Sequence, residues 1–219
     1  MKTVGTINII ENFISNDTCK FLIRSYSNSF NETPNKGIYG GPSTSIDHAW
    51  DVRPGNAFPP YQIDPYKNIC SDLITNISWS MSRVMSEQYK KDLDMRTFFF
   101  SKMVEGAALN EHYDNYENSG REFNPYGTNP KVMEKIGFES DYSSLLYLNN
   151  EYEGGEIEFP QYDLKLKPKP GTFIFFKGDM DAFHKVNEVI SGERYNLVSF
   201  FWGRDYRKKY FEELANLND

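Results

Sequence analysis

Cysteine and histidine are scarce in this chain, and long apolar runs are missing altogether. The two cysteines, Cys19 and Cys70 in 219 residues, are far apart and fall in segments of helical character. They cannot build a disulfide framework and are expected to be buried thiols in a reducing compartment. No run approaches the ~20 apolar residues that span a bilayer, and residues 1–15 carry Glu11 within their apolar portion, unlike a signal peptide. A cytoplasmic protein away from membranes is the expectation. Positive charge is also short, with 24 Lys and Arg against 31 Asp and Glu, a net charge of -7 and a pI near 5.1. Without a sequence-wide basic field, general binding to nucleic acid or to anionic membrane is not expected. Internal repeats and low-complexity tracts are lacking too.

What is present is an aromatic-rich chain, 16% Phe, Trp and Tyr within 39% hydrophobic residues, a composition that suits pleated strands. The length fits a single domain over residues 1–219. Val4 to Phe13 is expected to be a strand. Ser15-Asn16-Asp17 then starts a helix whose Ser side chain can accept from a free N–H group, with Cys19, Leu22, Ile23 and Tyr26 on one face. Residues 28–60 are rich in Gly, Pro, Asn and Ser, predicting a loop. Within it His48, Trp50 and Arg53 are either surface residues or substrate contacts. Asp64-Pro65 opens a helix to about Lys91, with Ile69, Cys70, Leu73, Ile77, Met81 and Val84 as its core stripe.

From Thr97 the period changes from helical to alternating. Strands are predicted over Thr97 to Val104, Asn110 to Asp114, Tyr142 to Asn149, Glu156 to Phe159, Leu164 to Lys167, Thr172 to Phe176, His184 to Val189 and Tyr195 to Trp202, with Gly- and Pro-containing turns between. Many short strands at close spacing suggest a sandwich or barrel, for which a double-sheet jelly roll is one solution. The interruption from Asn115 to Ser140 has no clear period and is either a lid or a surface excursion. A short helix can follow Arg204.

The three histidines decide where chemistry is sought. His112-Tyr113-Asp114 puts an imidazole and a carboxylate two residues apart, and in a strand such side chains leave the same face. A distant His184 can complete a set of two histidines and one carboxylate. That set covers one triangular face of an octahedral ion and leaves the other open, the arrangement associated with non-haem Fe(II) oxygenases. Arg194, ten residues beyond His184, can grip a carboxylate through two parallel charge-assisted hydrogen bonds or form a surface ion pair.

In chain order, His112-x-Asp114, Leu148-Asn149, Gly154-Gly155-Glu156-x-Glu158-Phe159-Pro160, Lys169-Pro170-Gly171, Phe175-Phe176, His184, Gly192-x-Arg194-Tyr195 and Trp202 together resemble the 2-oxoglutarate- and Fe(II)-dependent dioxygenases of the prolyl 4-hydroxylase-like group. Phe13-Ile14-Ser15 with Cys19 is similar to the start of that domain. The resemblance implies a mainly β domain with flanking helices (α+β), built as a cupin-like double-stranded β-helix of the jelly-roll type. It implies His112, Asp114 and His184 as iron ligands, Arg194 as the anchor of the distal carboxylate of 2-oxoglutarate, and O2 as the oxidant. Ascorbate is expected to support activity. The implied reaction hydroxylates a C–H bond of a prolyl residue, another amino-acid side chain or a small molecule. Two aromatic positions associated with the family's strand before the ligands are Met103 and Leu109 here, so Tyr147 or another residue would supply the phenol that contacts the co-substrate. Asp114 is not replaced by a small residue, which favours hydroxylation over halogenation. A catalytically silent metal-binding jelly roll and a nucleic-acid demethylase of the same chemistry are the competing readings.

Overall fold

The computed structural model describes residues 1–29, 46–48, 65–114, 130–136 and 142–217. In chain order these form β1 (Lys2–Val4), β2 (Ile7–Ile10), α1 (Asn16–Ser29), β3 (Ile46–His48), α2 (Pro65–Tyr89), β4 (Leu93–Met103), β5 (Leu109–His112), α3 (Pro130–Ile136) and β6 (Tyr142–Tyr147). They continue as β7 (Tyr152–Gly154), β8 (Ile157–Phe159), β9 (Leu164–Leu166), β10 (Phe173–Lys177), β11 (His184–Val186), β12 (Val189–Gly192), β13 (Arg194–Gly203) and α4 (Arg204–Asn216).

Seven strands form one sheet in the order β1-β2-β10-β6-β13-β4-β3, and four form a second, β5-β11-β8-β9. β12 and β7 pair as a separate ribbon. Alternation along the strands gives the large sheet two buried faces. Its outer face carries Phe173, Phe175, Leu146, Leu197 and Phe201, which pack with Cys19 and Leu22 of α1 and Ile74, Ile77, Met81 and Met85 of α2. Its inner face carries Ile7, Ile9, Tyr147, Ile174 and Phe176, which pack with Ile157 and Phe159 of the small sheet. The architecture is therefore a mixed α/β fold of two packed sheets with helices over one of them.

Local chemistry explains the helix starts. Ser15 Oγ accepts from the Thr18 N–H at 3.1 Å, satisfying one of the free donors of the first turn of α1. Pro65 begins α2 at a position where its missing N–H costs nothing. Along α2 the buried residues Ile74, Ile77, Met81 and Met85 recur at three- and four-residue steps, and full burial of each such side chain contributes about 1.5–3 kcal/mol. The predicted Leu73 and Val84 lie at the edges of this stripe, half-buried.

Several expectations are corrected. Residues 4–13 are not one strand, because Gly5, in a left-handed conformation, turns β1 back onto β2. A side chain there would meet the Tyr162 ring. The strand expected from Thr97 begins at Leu93, because its ladder with β13 continues to the pairing of Leu93 with Gly203, beside which Asp94 is held by Arg204 and Arg207 at 3.2 and 3.0 Å. The region 28–60 contains β3, which adds to the edge of β4. The interruption at 115–140 contains α3, whose Val132 and Ile136 pack against Trp202 and Tyr210. The strand expected over His184 to Val189 is two strands: the Asn187 N–H donates to the Glu156 carbonyl at 2.9 Å, and Val189 pairs instead with Gly154. Predicted α4 and the strands after Tyr142 are present with shifted ends. Among the described residues, no helix is long and apolar enough to cross a membrane. Cys19 is a buried free thiol, and the side chains of Tyr26 and Cys70 lie outside the described residues.

Candidate metal centre

β5 and β11 are antiparallel partners with His184 directly opposite His112, so their rings stand side by side with centroids 4.4 Å apart. Asp114 is not on the strand as expected; β5 ends at His112 and the chain bends. The bend brings the carboxylate across the two rings, with Asp114 Oδ1 3.4 Å from His112 Nε2 and Oδ2 3.9 Å from His184 Nε2. One donor atom from each residue lies within 4.8 Å of the others.

The backbone fixes which nitrogen faces the carboxylate. His112 Nδ1 lies 2.7 Å from the Asn110 carbonyl and His184 Nδ1 lies 2.8 Å from the Ala182 carbonyl. A carbonyl only accepts, so each Nδ1 carries the hydrogen and each ring turns Nε2, the nitrogen that offers a lone pair in the neutral form, toward Asp114. Such a bond to the second nitrogen is how metal-ligating histidines are held in tautomer and orientation.

Electrostatics favour the same state. Burial drives the His184 imidazole down to about 4, against the pull of the Asp114 charge, which keeps its lone pair available at neutral pH. Burial opposes ionisation of Asp114, yet the charge of His184 and a hydrogen bond from His112, when these rings are protonated, bring its carboxyl down to about 2. Phe159 and Phe176 flank His184 with ring centroids at 5.5 and 5.0 Å, an apolar wall that limits water. Two imidazole nitrogens and one carboxylate, ionised and pre-oriented, fit a divalent transition metal that keeps open positions.

A second polar group lies in the same layer between the sheets. Arg194, at the start of β13, is 1% exposed, and its guanidinium stacks over the Tyr147 ring at 4.9 Å. Nη1 donates to Asn196 Oδ1 at 2.7 Å and Nη2 to the Tyr147 hydroxyl at 2.8 Å. Met103 Sδ lies 3.2 Å from Nη1. Among the described residues no carboxylate pairs with this cation, and its Nε has no acceptor. Tyr147 packs against the same cluster as Phe159 and Phe176, which ties the arginine to the wall beside His184. Burial pushes the Tyr147 phenol up, so it stays a hydrogen donor.

Tyr147 and Arg194, two of the predicted site residues, thus touch each other. Met103 and Leu109 form a small apolar cluster with Ala107, Val186 and Val189. His48 lies in β3, its side chain outside the described residues, as are Trp50, Arg53, Asn115, Tyr116 and Arg121. Asn196 and Tyr152 were missed. A signal for Asn196 exists: Arg194-x-Asn196 puts two polar side chains on one face of an otherwise apolar strand. Tyr152 has none, because it reaches Arg194 only through the β7–β12 pairing.

The model of the 2OG-Fe(II) oxygenase superfamily matches residues 98–202. Prolyl 3-hydroxylase 2 of Rattus norvegicus is 39% identical over 66 residues, covering 28% of this chain and 9% of that protein; the chain thus matches about a tenth of that relative's length. The viral collagen prolyl hydroxylase of Paramecium bursaria Chlorella virus-1, solved as its 2OG complex, shares the fold with a TM-score of 0.57 at 18% identity, over 90% of this chain and 94% of that one. A Trichoplax adhaerens prolyl hydroxylase, solved with a hypoxia inducible factor peptide fragment, has a TM-score of 0.60 at 13% identity, over 93% and 86%.

Proposed function

We propose that this chain, which belongs to the 2OG-Fe(II) oxygenase superfamily, is an Fe(II)- and 2-oxoglutarate-dependent hydroxylase. The observation that carries the reading is the set His112, Asp114 and His184, with both Nδ1–H groups spent on backbone carbonyls and both Nε2 lone pairs turned to one point. These residues would hold the iron. When bound with its co-substrates, iron supplies the oxidation: 2-oxoglutarate and O2 give succinate and CO2, and one oxygen atom enters a substrate C–H bond.

The chain's own residues position and enclose this chemistry. The carbonyls of Asn110 and Ala182 hold the two rings in one orientation with the hydrogen on Nδ1, which leaves Nε2 to the metal. Phe159 and Phe176 shield the His184 side from water. Arg194, unpaired by any described carboxylate, is the anchor for the distal carboxylate of 2-oxoglutarate, and Tyr147 is the phenol beside it. Asn196 holds the far side of the guanidinium so that Nε remains free.

The substrate we propose is a prolyl residue or another amino-acid side chain, in a peptide or as a small molecule; the relatives named above are prolyl hydroxylases. The two packed sheets are read as a double-stranded β-helix, in one catalytic domain over residues 1–219, acting in the cytoplasm with ascorbate as supporting reductant. The test is succinate release from 2-oxoglutarate with Fe(II) and ascorbate, followed by mass spectrometry of treated lysate for products gaining one oxygen atom. Wild-type protein that releases no succinate under these conditions would sink the proposal.

A further inference from the structure

Around Arg194 converge three hydrogen-bond donors for which the described residues supply no acceptor. The first is Arg194 Nε–H, buried and without a partner among the described residues. The second is the hydrogen of the Tyr147 hydroxyl, whose oxygen is used as an acceptor by Arg194 Nη2. The third is the hydrogen of the Tyr152 hydroxyl, buried and with no acceptor among the described residues: the hydroxyl faces the Arg194 guanidinium, which can only donate to its oxygen; Tyr152 as a whole is 3% exposed. A buried polar group without a partner costs about 1–3 kcal/mol, so three together mark a place built for something else to occupy.

We infer that Tyr152 is a further anchor of the co-substrate, donating its hydroxyl hydrogen to the distal carboxylate of 2-oxoglutarate alongside Tyr147 and the free edge of Arg194. The inference rests on the reading of Arg194 given above. A carboxylate has two oxygens with about four acceptor sites, enough for all three donors. A neutral amide offers one oxygen with two acceptor sites and an ammonium offers none, so neither satisfies all three.

The chain is shaped to bring Tyr152 there. It sits on β7, held by its backbone pairing with Gly192 of β12. Gly155, in a left-handed conformation, separates it from the arginine. A Cβ at Gly155 would lie 3.1 Å from Tyr152 Cε2 and 3.2 Å from Arg194 Cδ, so the absence of a side chain lets the ring and the guanidinium stem close on each other. Burial raises the Tyr152 phenol to about 12, with the Arg194 charge working the other way; it therefore keeps its hydrogen and acts as a donor to an anion.

Tyr152→Phe deletes only the hydroxyl and tests the assignment. Calorimetry on the full chain loaded with Mn(II), which avoids turnover, gives the affinity for 2-oxoglutarate and for 2-oxovalerate, which carries a methyl group where the distal carboxylate stands. The variant is expected to bind 2-oxoglutarate about ten-fold more weakly, with unchanged affinity for 2-oxovalerate and for Mn(II). Without ligand it is expected to melt no lower than wild type, since a liability has been removed. Equal 2-oxoglutarate affinity, an equal loss with both oxo-acids, or a lowered melting temperature would each overturn the role of Tyr152. Arg194→Met separates this from the parent reading: if that variant also binds 2-oxoglutarate normally, the carboxylate site itself is misassigned.

Discussion

Replacing Arg194 by Met tests the co-substrate site through two opposite effects. The guanidinium is buried with neutral partners, Asn196 at 2.7 Å, Tyr147 at 2.8 Å and the Met103 sulfur, and among the described residues no carboxylate offsets its charge. A buried charge of this kind is costly to the empty protein, and an apolar side chain of similar volume is often neutral or stabilising in its place. Arg194→Met without ligand should therefore melt close to wild type or above it. With 2-oxoglutarate the order reverses. A hydrogen bond to a charged group contributes about 1.5–3 kcal/mol, so affinity should drop about ten- to hundred-fold. At a 2-oxoglutarate concentration of about 100 times the wild-type dissociation constant, linkage adds roughly 2.7 kcal/mol to wild type and only about 0.4 kcal/mol to a variant weakened hundred-fold. For a chain of this length these are shifts of roughly 5–10 °C and about 1 °C. Differential scanning fluorimetry with Mn(II), with and without 2-oxoglutarate, reads both quantities. An unliganded variant many degrees less stable than wild type, or one with the full ligand-induced shift, would refute the reasoning.

The remaining predictions address the other parts of the molecule. His184→Ala should keep the fold by circular dichroism while losing both Co(II) binding, read by visible absorption, and succinate production; retention of wild-type metal affinity would remove His184 from the ligand set. In metal-free protein, His184 binds its proton at about 4 when folded against 6.5 for the ordinary side chain. The unfolded state then holds more protons between those values, so stability should fall by roughly 3 kcal/mol as pH drops through that window. Asp114, lowered from 3.8 to about 2, adds a further loss below 3.8. Urea unfolding at a series of pH values checks the sign, and stability that rises on acidification through that window contradicts it. Val132→Ala in α3, fully buried against the Trp202 cluster, should cost on the order of 2 kcal/mol in a denaturant melt; a neutral result would return this segment to the status of a loop. Gly155→Ala would crowd Arg194 and Tyr152 at a left-handed position, and should lower 2-oxoglutarate affinity about ten-fold or more by calorimetry.

Strand alternation and residue chemistry carried the sequence a long way. The helical stripe Leu73, Ile77, Met81 and Val84, the Ser15 cap and the β-rich second half are local patterns, and local patterns survive folding because each depends on neighbours within a few positions. The pairing of His112 with Asp114 was also legible, because both side chains are only two residues apart. Their convergence with His184 was anticipated from strand geometry, chain order and the chemistry of the ligand set. Tertiary structure decided the rest. Asp114 reaches the two Nε2 atoms from a bend beyond β5, not from the strand, and a bend is set by what the chain packs against. The tautomer of each histidine depends on where the Asn110 and Ala182 carbonyls point. Tyr152 meets Arg194 because β7, a three-residue strand too short to show a period, pairs with β12. Long-range register of this kind is written in no single stretch: it follows from burying both faces of the large sheet at once, and only the folded chain satisfies that condition.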